Sequence, residues 1–152
     1  MDLSIEICSC CLNNRHLGNV LVRETPLKTL KFFEFPSFKS HGILCTIIDY
    51  SLSSFNYKDE FEYRDLGDSQ WLFDGEDKVN TQYQVYKDMR DITQGKWSDK
   101  CTKTNILWLD HILFTVVGRL SKIQKHEFSK LQQRIKTYDS CVGFVFNDEF
   151  FK

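Results

Sequence analysis

The sequence predicts an α+β fold: a single domain over residues 1–152, with a mainly antiparallel or mixed sheet of five to six strands and two longer helices and one short helix packed on it. Three observations carry this reading. Period-2 alternation recurs in short segments, two long apolar runs lack polar alternation, and two later stretches place apolar residues at helical spacing. The predicted order is β-β-α-β-β-(β)-α-β-α-β. A chain of 152 residues with 41% hydrophobic and 27% charged residues lies far from the composition of disordered chains. One core is enough at this length.

Leu3, Ile5 and Ile7 alternate with Ser4, Glu6 and Cys8, the pattern of a strand. Asn13 to Gly18 reads as a turn, and Asn19 to Glu24 as a second strand that closes a hairpin. Thr25-Pro26 is a helix-start signal, predicting a short helix to about Phe33, with Pro36 ending it. Gly42 to Tyr50, rich in Ile and Leu, is expected to be a central strand buried on both faces. From Phe55 to Tyr63 the apolar side chains fall on odd positions, which predicts a half-exposed strand with one aromatic face. Leu66 to Asp77 is acidic and turn-like, with a short strand around Gln70-Trp71-Leu72-Phe73.

After Asp77 as N-cap, the spacing of Val79, Tyr83, Tyr86 and Met89 predicts a helix stopped at Gly95. Ile106 to Leu120 reads as a second buried strand. Ser121-Lys122-Ile123-Gln124 fits a capping box, and Ile123, Leu131, Ile135 and Tyr138 mark the apolar stripe of the clearest helix. Cys141 to Phe146 is expected to close the sheet as a strand. Not one residue is alanine, against 13 Phe, so helices must lean on tertiary packing and the core is expected to be Phe and Leu. With few Gly and Pro and many Lys, the composition indicates a low-GC gene.

The formal net charge of -1 argues against a protein that coats nucleic acid or anionic membranes. The charge is uneven: residues 1–76 carry a net -5 and residues 77–152 a net +4. The N-terminus lacks the basic and apolar regions of a signal peptide, and no apolar run reaches membrane-span length. A cytoplasmic location is therefore expected, where the 6 Cys are reduced thiols.

Cys8, Cys10 and Cys11 with His16 form the densest metal-capable group. Their spacing is wrong for a zinc knuckle, and completing a site would need Cys45, Cys101 or Cys141, so no metal is assigned. His111 follows Asp110, but neighbours on a strand point to opposite faces, so the carboxylate cannot orient the imidazole. No phosphate loop, dinucleotide fingerprint, nucleophile elbow or zinc-protease motif is present, and neither a cofactor nor a catalytic residue is assigned.

Two segments echo each other: His41 to Ser53 and His111 to Ser121 share Ile-Leu-x-Thr, two β-branched residues, then Leu-Ser. The pair, with the tail Thr115-Val116-Val117-Gly118-Arg119, resembles the 2H phosphoesterase family, whose two His-x-Thr motifs face each other across a cleft. Leu44 and Leu113 stand where that family has histidine, so the resemblance implies a degenerate protein that binds, or cleaves, a nucleotide or oligonucleotide phosphodiester. Thr46 and Thr115 would touch phosphate and Trp71 would stack on a base.

The remaining signal is a recognition surface of Phe55, Tyr57, Glu60, Glu62, Tyr63, Asp65, Asp68, Trp71, Asp74 and Glu76. Aromatic anchors beside charge are typical of protein interfaces. The leading expectation is a small non-enzymatic binding protein of the toxin-immunity or mobile-element inhibitor type. Its partner would be another protein, such as a basic toxin or nuclease, covered by the acidic stretch. The 2H-like nucleotide ligand is the alternative, and no membrane partner is expected.

Overall fold

The computed structural model describes residues 16–32, 35, 37–57, 60–75 and 81–151. The strand expected at Leu3 to Cys8 lies outside them. A 3-10 turn, Leu17–Asn19, leads into β1 (Val20–Glu24), which pairs antiparallel with β4 (Ile43–Ile47). Between them an excursion carries β2 (Thr29–Leu30) and β3 (Phe38–Lys39), which pair with each other. A tight hairpin, β5 (Phe55–Tyr57) and β6 (Glu60–Glu62), follows. Two 3-10 turns at Leu66–Asp68 and Gln70–Leu72 precede four helices: α1 (Thr81–Thr93), α2 (Lys103–Val117), α3 (Lys122–Ile135) and α4 (Cys141–Asn147).

The α+β class holds, but no continuous sheet of five to six strands forms among the described residues; the strands make three separate two-stranded pairs. Two-stranded ribbons are weak on their own, and the core is built by the helices and the 66–73 loop instead. Leu52, Leu66, Leu72, Phe73 and Trp97 pack with Val85, Tyr86 and Met89 of α1 and with Trp108 of α2. A second cluster joins Ile106 of α2, Leu131 and Ile135 of α3, and Phe144 of α4. The expected leucines are inside; of the phenylalanines, Phe73 and Phe144 are buried, whereas Phe32, Phe114, Phe146 and Phe150 are exposed.

Several expected elements are corrected. Thr25 to Phe32, the described part of the expected short helix, is not helical: Thr25 Oγ1 accepts from Leu27 N at 3.3 Å in a local turn, and Thr29 and Leu30 then pair with Lys39 and Phe38. The strand at 43–47 is not doubly buried: among the described residues it has one neighbouring strand, and Ile43, Cys45 and Thr46 are exposed. The 55–63 segment is a hairpin, not one strand, and 70–72 is a 3-10 turn.

The run from Ile106 to Leu120 is not a strand but most of α2. This helix is apolar on two sides because Trp108 enters the first cluster and Ile106 the second, so its hydrophobicity shows no single stripe. Cys141 to Phe146 is likewise helical, started by Ser140, whose Oγ accepts from Gly143 N at 3.0 Å. Both α1 and α3 form as the spacing predicts. Gly95 ends α1 with φ +71°, and its N–H donates to Arg90 O at 3.0 Å. Among the described residues no helix is long and apolar enough to cross a membrane.

Candidate functional site

The β1–β4 register builds a polar pair at the end of the ribbon. Val20 opposes Ile47, and Ile48 N donates to Asn19 O at 2.9 Å, so the ladder runs one step past β1. The next residue, Asp49, lies beside Asn19, whose Nδ2 donates to Asp49 Oδ2 at 3.3 Å. Asn19 is itself buried. Its loop is set by His16, whose Nδ1 accepts from Gly18 N at 3.1 Å and whose carbonyl accepts from Asn19 N at 2.9 Å.

Asp49 has φ +61°, a left-handed conformation that a non-glycine residue adopts at a cost, and one that clusters at functional sites. Its Oδ1 accepts from Ser51 N at 3.2 Å and from Ser51 Oγ at 2.7 Å, and these bonds hold the carboxylate in place. Beneath it, burial raises the pKa of the Tyr86 phenol on α1, and the Asp49 carboxylate adds to that rise. The imidazole of His111 on α2 is shifted down, first by burial and then by His16, with Asp110 opposing. Tyr86 on α1 and His111 on α2 thus lie within electrostatic reach of Asp49 and His16 respectively.

An open groove of about 540 Å³ runs from Tyr50 and Ser51 to the β5–β6 hairpin and the turn after it. Of the residues expected to form a recognition surface, Phe55, Glu62, Tyr63, Asp65 and Asp68 line it, together with Arg64. Three carboxylates against one guanidinium make it acidic. Tyr57 and Glu60 pair at the hairpin's end. Trp71 is 61% exposed on its 3-10 turn, and Asp74 accepts from Gln70 Nε2 at 3.0 Å. Glu76 lies outside the described residues, as do Cys8, Cys10 and Cys11.

The paired Thr motifs are not brought together as two facing strands. Thr46 is on β4, whereas Thr115 is on helix α2 with its Oγ1 donating to His111 O at 2.9 Å. The echo joins a strand to a helix, so the geometry behind the 2H resemblance is absent. Among the described residues no three His, Cys, Asp or Glu side chains gather to hold a metal by themselves. Sequence reasoning assigned no role to Asn19 or Asp49. The available signal was the Asp-aromatic-small run Asp49-Tyr50-Ser51 downstream of Asn19.

Comparison with known proteins identifies a family. The profile of the family described as "Haspin like kinase domain" matches residues 13–151. The chain is 30% identical over 143 residues to a serine/threonine-protein kinase haspin homolog of Arabidopsis thaliana, covering 90% of this chain and 24% of that protein. It is 31% identical over 148 residues to the Drosophila melanogaster homolog, covering 87% and 26%. With serine/threonine-protein kinase haspin of Mus musculus the identity is 27%, covering 84% and 17%. The chain thus spans a quarter or less of the length of most of these relatives.

In protein kinases an Asn of the catalytic loop and the Asp of a D-F-G run hold the metal ions. Here an Asn and an Asp, Asn19 and Asp49, are likewise brought together, with Tyr50-Ser51 after the Asp where that run has Phe-Gly. The expectation of a toxin-immunity or mobile-element inhibitor is therefore overturned, along with its basic toxin or nuclease partner and the 2H phosphoesterase alternative. The chain belongs to the haspin-like kinase domain family.

Proposed function

We propose that this chain forms the metal- and phosphate-facing part of a protein-kinase centre, with residues 1–152 acting as one structural unit. The observation that carries this is the Asn19–Asp49 contact at 3.3 Å, which follows the strand register and directly precedes Tyr50 and Ser51 of an acidic groove. The donor chemistry suits Mg²⁺, which kinases bind through one or two side-chain oxygens plus the nucleotide's phosphates. Such an ion neutralises charge on the transferring phosphates. Asp49 supplies the anionic oxygen and Asn19 the amide oxygen. Ser51 fixes the carboxylate rotamer, and the left-handed backbone at Asp49 sets its direction.

The groove from Tyr50 to Asp68 would receive a segment of a protein substrate bearing serine or threonine, the residues in the relatives' names. Its net negative lining favours a segment with basic side chains. The test is Mn²⁺ binding followed by electron paramagnetic resonance in the presence of ATP. The chain should bind Mn²⁺, and Asp49→Ala should abolish this while retaining the fold. Equal binding by the two proteins would refute the assignment.

A further inference from the structure

We infer that this chain keeps the cation site but lacks the proton acceptor for phosphoryl transfer, because Asn14 stands in the sequence where the general base is expected. The inference rests on the kinase reading of Asn19 and Asp49. Kinase catalytic loops run His-Arg-Asp, then four residues, then the metal-binding Asn; the Asp accepts the proton of the substrate hydroxyl. The Asn of that pattern is identified here by geometry, through its bond to Asp49 and its place at the head of β1. Five residues before it is Asn14, so Leu12-Asn13-Asn14 stands where His-Arg-Asp is required. The family match, which starts at residue 13, spans both Asn14 and Asn19.

The substitution removes the charge that does the chemistry. An Asp of ordinary pKa near 3.9 is ionised at neutral pH and accepts a proton, whereas a carboxamide oxygen is a very weak base. In the transfer, the hydroxyl oxygen bonds to the γ-phosphorus, the bond from that phosphorus to the β,γ-bridging oxygen breaks, and the nucleoside diphosphate leaves. The hydroxyl proton must go elsewhere, and without a carboxylate it passes to a phosphoryl oxygen or to water.

No described loop residue replaces the missing base. His16 already uses Nδ1 to accept from Gly18 N, and Asp49 is held by Ser51 and Asn19. The chain then binds cation, nucleotide and a serine or threonine segment without fast turnover. General-base assistance contributes about 10²- to 10⁴-fold, which sets the size of the deficit.

The experiment compares the full chain with Asn14→Asp, using Mg-ATP and serine- and threonine-containing basic peptides, with Mn²⁺ affinity measured on both. The expected result is a gain in turnover of at least about 100-fold in Asn14→Asp, with Mn²⁺ affinity unchanged and a rate that rises with pH as the new carboxylate ionises. Mn²⁺ binding without any gain in Asn14→Asp overturns the inference and leaves the metal site standing. Absence of Mn²⁺ binding in the parent chain removes both. Parent turnover within the ordinary kinase range, about 1–100 s⁻¹, also overturns the inference, however the variant behaves.

Discussion

Truncating Trp108 tests whether the α1–α2 contact is the base on which the site rests. Its side chain is fully buried, edge-on to Tyr86 at 5.2 Å and to His111 at 5.6 Å, and its Nε1 lies 3.2 Å from Met89 Sδ. Trp108→Ala leaves Tyr86 and Met89, both fully buried, facing a void. A change of this kind costs about 3–5 kcal/mol. For 152 residues, an unfolding entropy of about 2.1 cal/mol/K per residue converts that into a fall in Tm of roughly 10–15 °C. Far-UV circular dichroism during heating and urea titration reads it, with the midpoint moving at constant slope.

Trp71→Ala is the internal comparison. This indole is 61% exposed, so its removal should change stability by no more than about 0.5 kcal/mol. Trp108→Ala should also weaken Mn²⁺ binding below its melting temperature, because Tyr86, which packs on Trp108, lies within electrostatic reach of Asp49. A loss under about 1 kcal/mol for Trp108→Ala would falsify the claim that this contact anchors the core.

Two further outcomes follow from other parts of the fold. Asp148 is 2% exposed, meets Arg134 through two 3.0 Å bonds, and accepts from Phe150 N at 2.9 Å; the Arg134 bond, above all, holds its carboxyl below the ordinary value. Because the folded pKa is depressed, the stabilisation is present above the ordinary value of 3.8 and is lost as pH falls through the folded value. The urea midpoint should therefore drop below about pH 4 in the parent. Asp148→Asn should be less stable at neutral pH and lack that acid slope; parallel curves would exclude the linkage. Gly95→Ala should cost about 1 kcal/mol by thermal melting, since an added Cβ meets nothing within 4 Å and the penalty is the left-handed φ of +71° alone.

Local pattern carried much of the chain. The strand read at Asn19 to Glu24 after the turn located β1, helical spacing located α1 and α3, and Gly95 marked a real stop because a left-handed residue there favours glycine. Where a segment is apolar on more than one side, pattern failed. In α2, Trp108 and Ile106 serve different clusters, which erases the stripe that distinguishes a helix from a buried strand. Its length of 15 residues was the better guide, since strands run about 4–8 residues. The short α4 fooled the reading for the same reason, with its cap at Ser140 as the neglected signal.

The candidate site shows where this boundary lies. Asn19 and Asp49 are 30 positions apart, and each alone is an ordinary turn residue. No contiguous motif joins them in the sequence. Strand boundaries, helix stops and the acidic character of the groove are written in short stretches of sequence, because propensity and patterning act over a few residues. The pairing of Asn19 with Asp49 and the core shared by α1 and α2 are not. They depend on which register the β1–β4 ribbon adopts and on how two helices share a core, and those choices are made by contacts between residues distant in the chain.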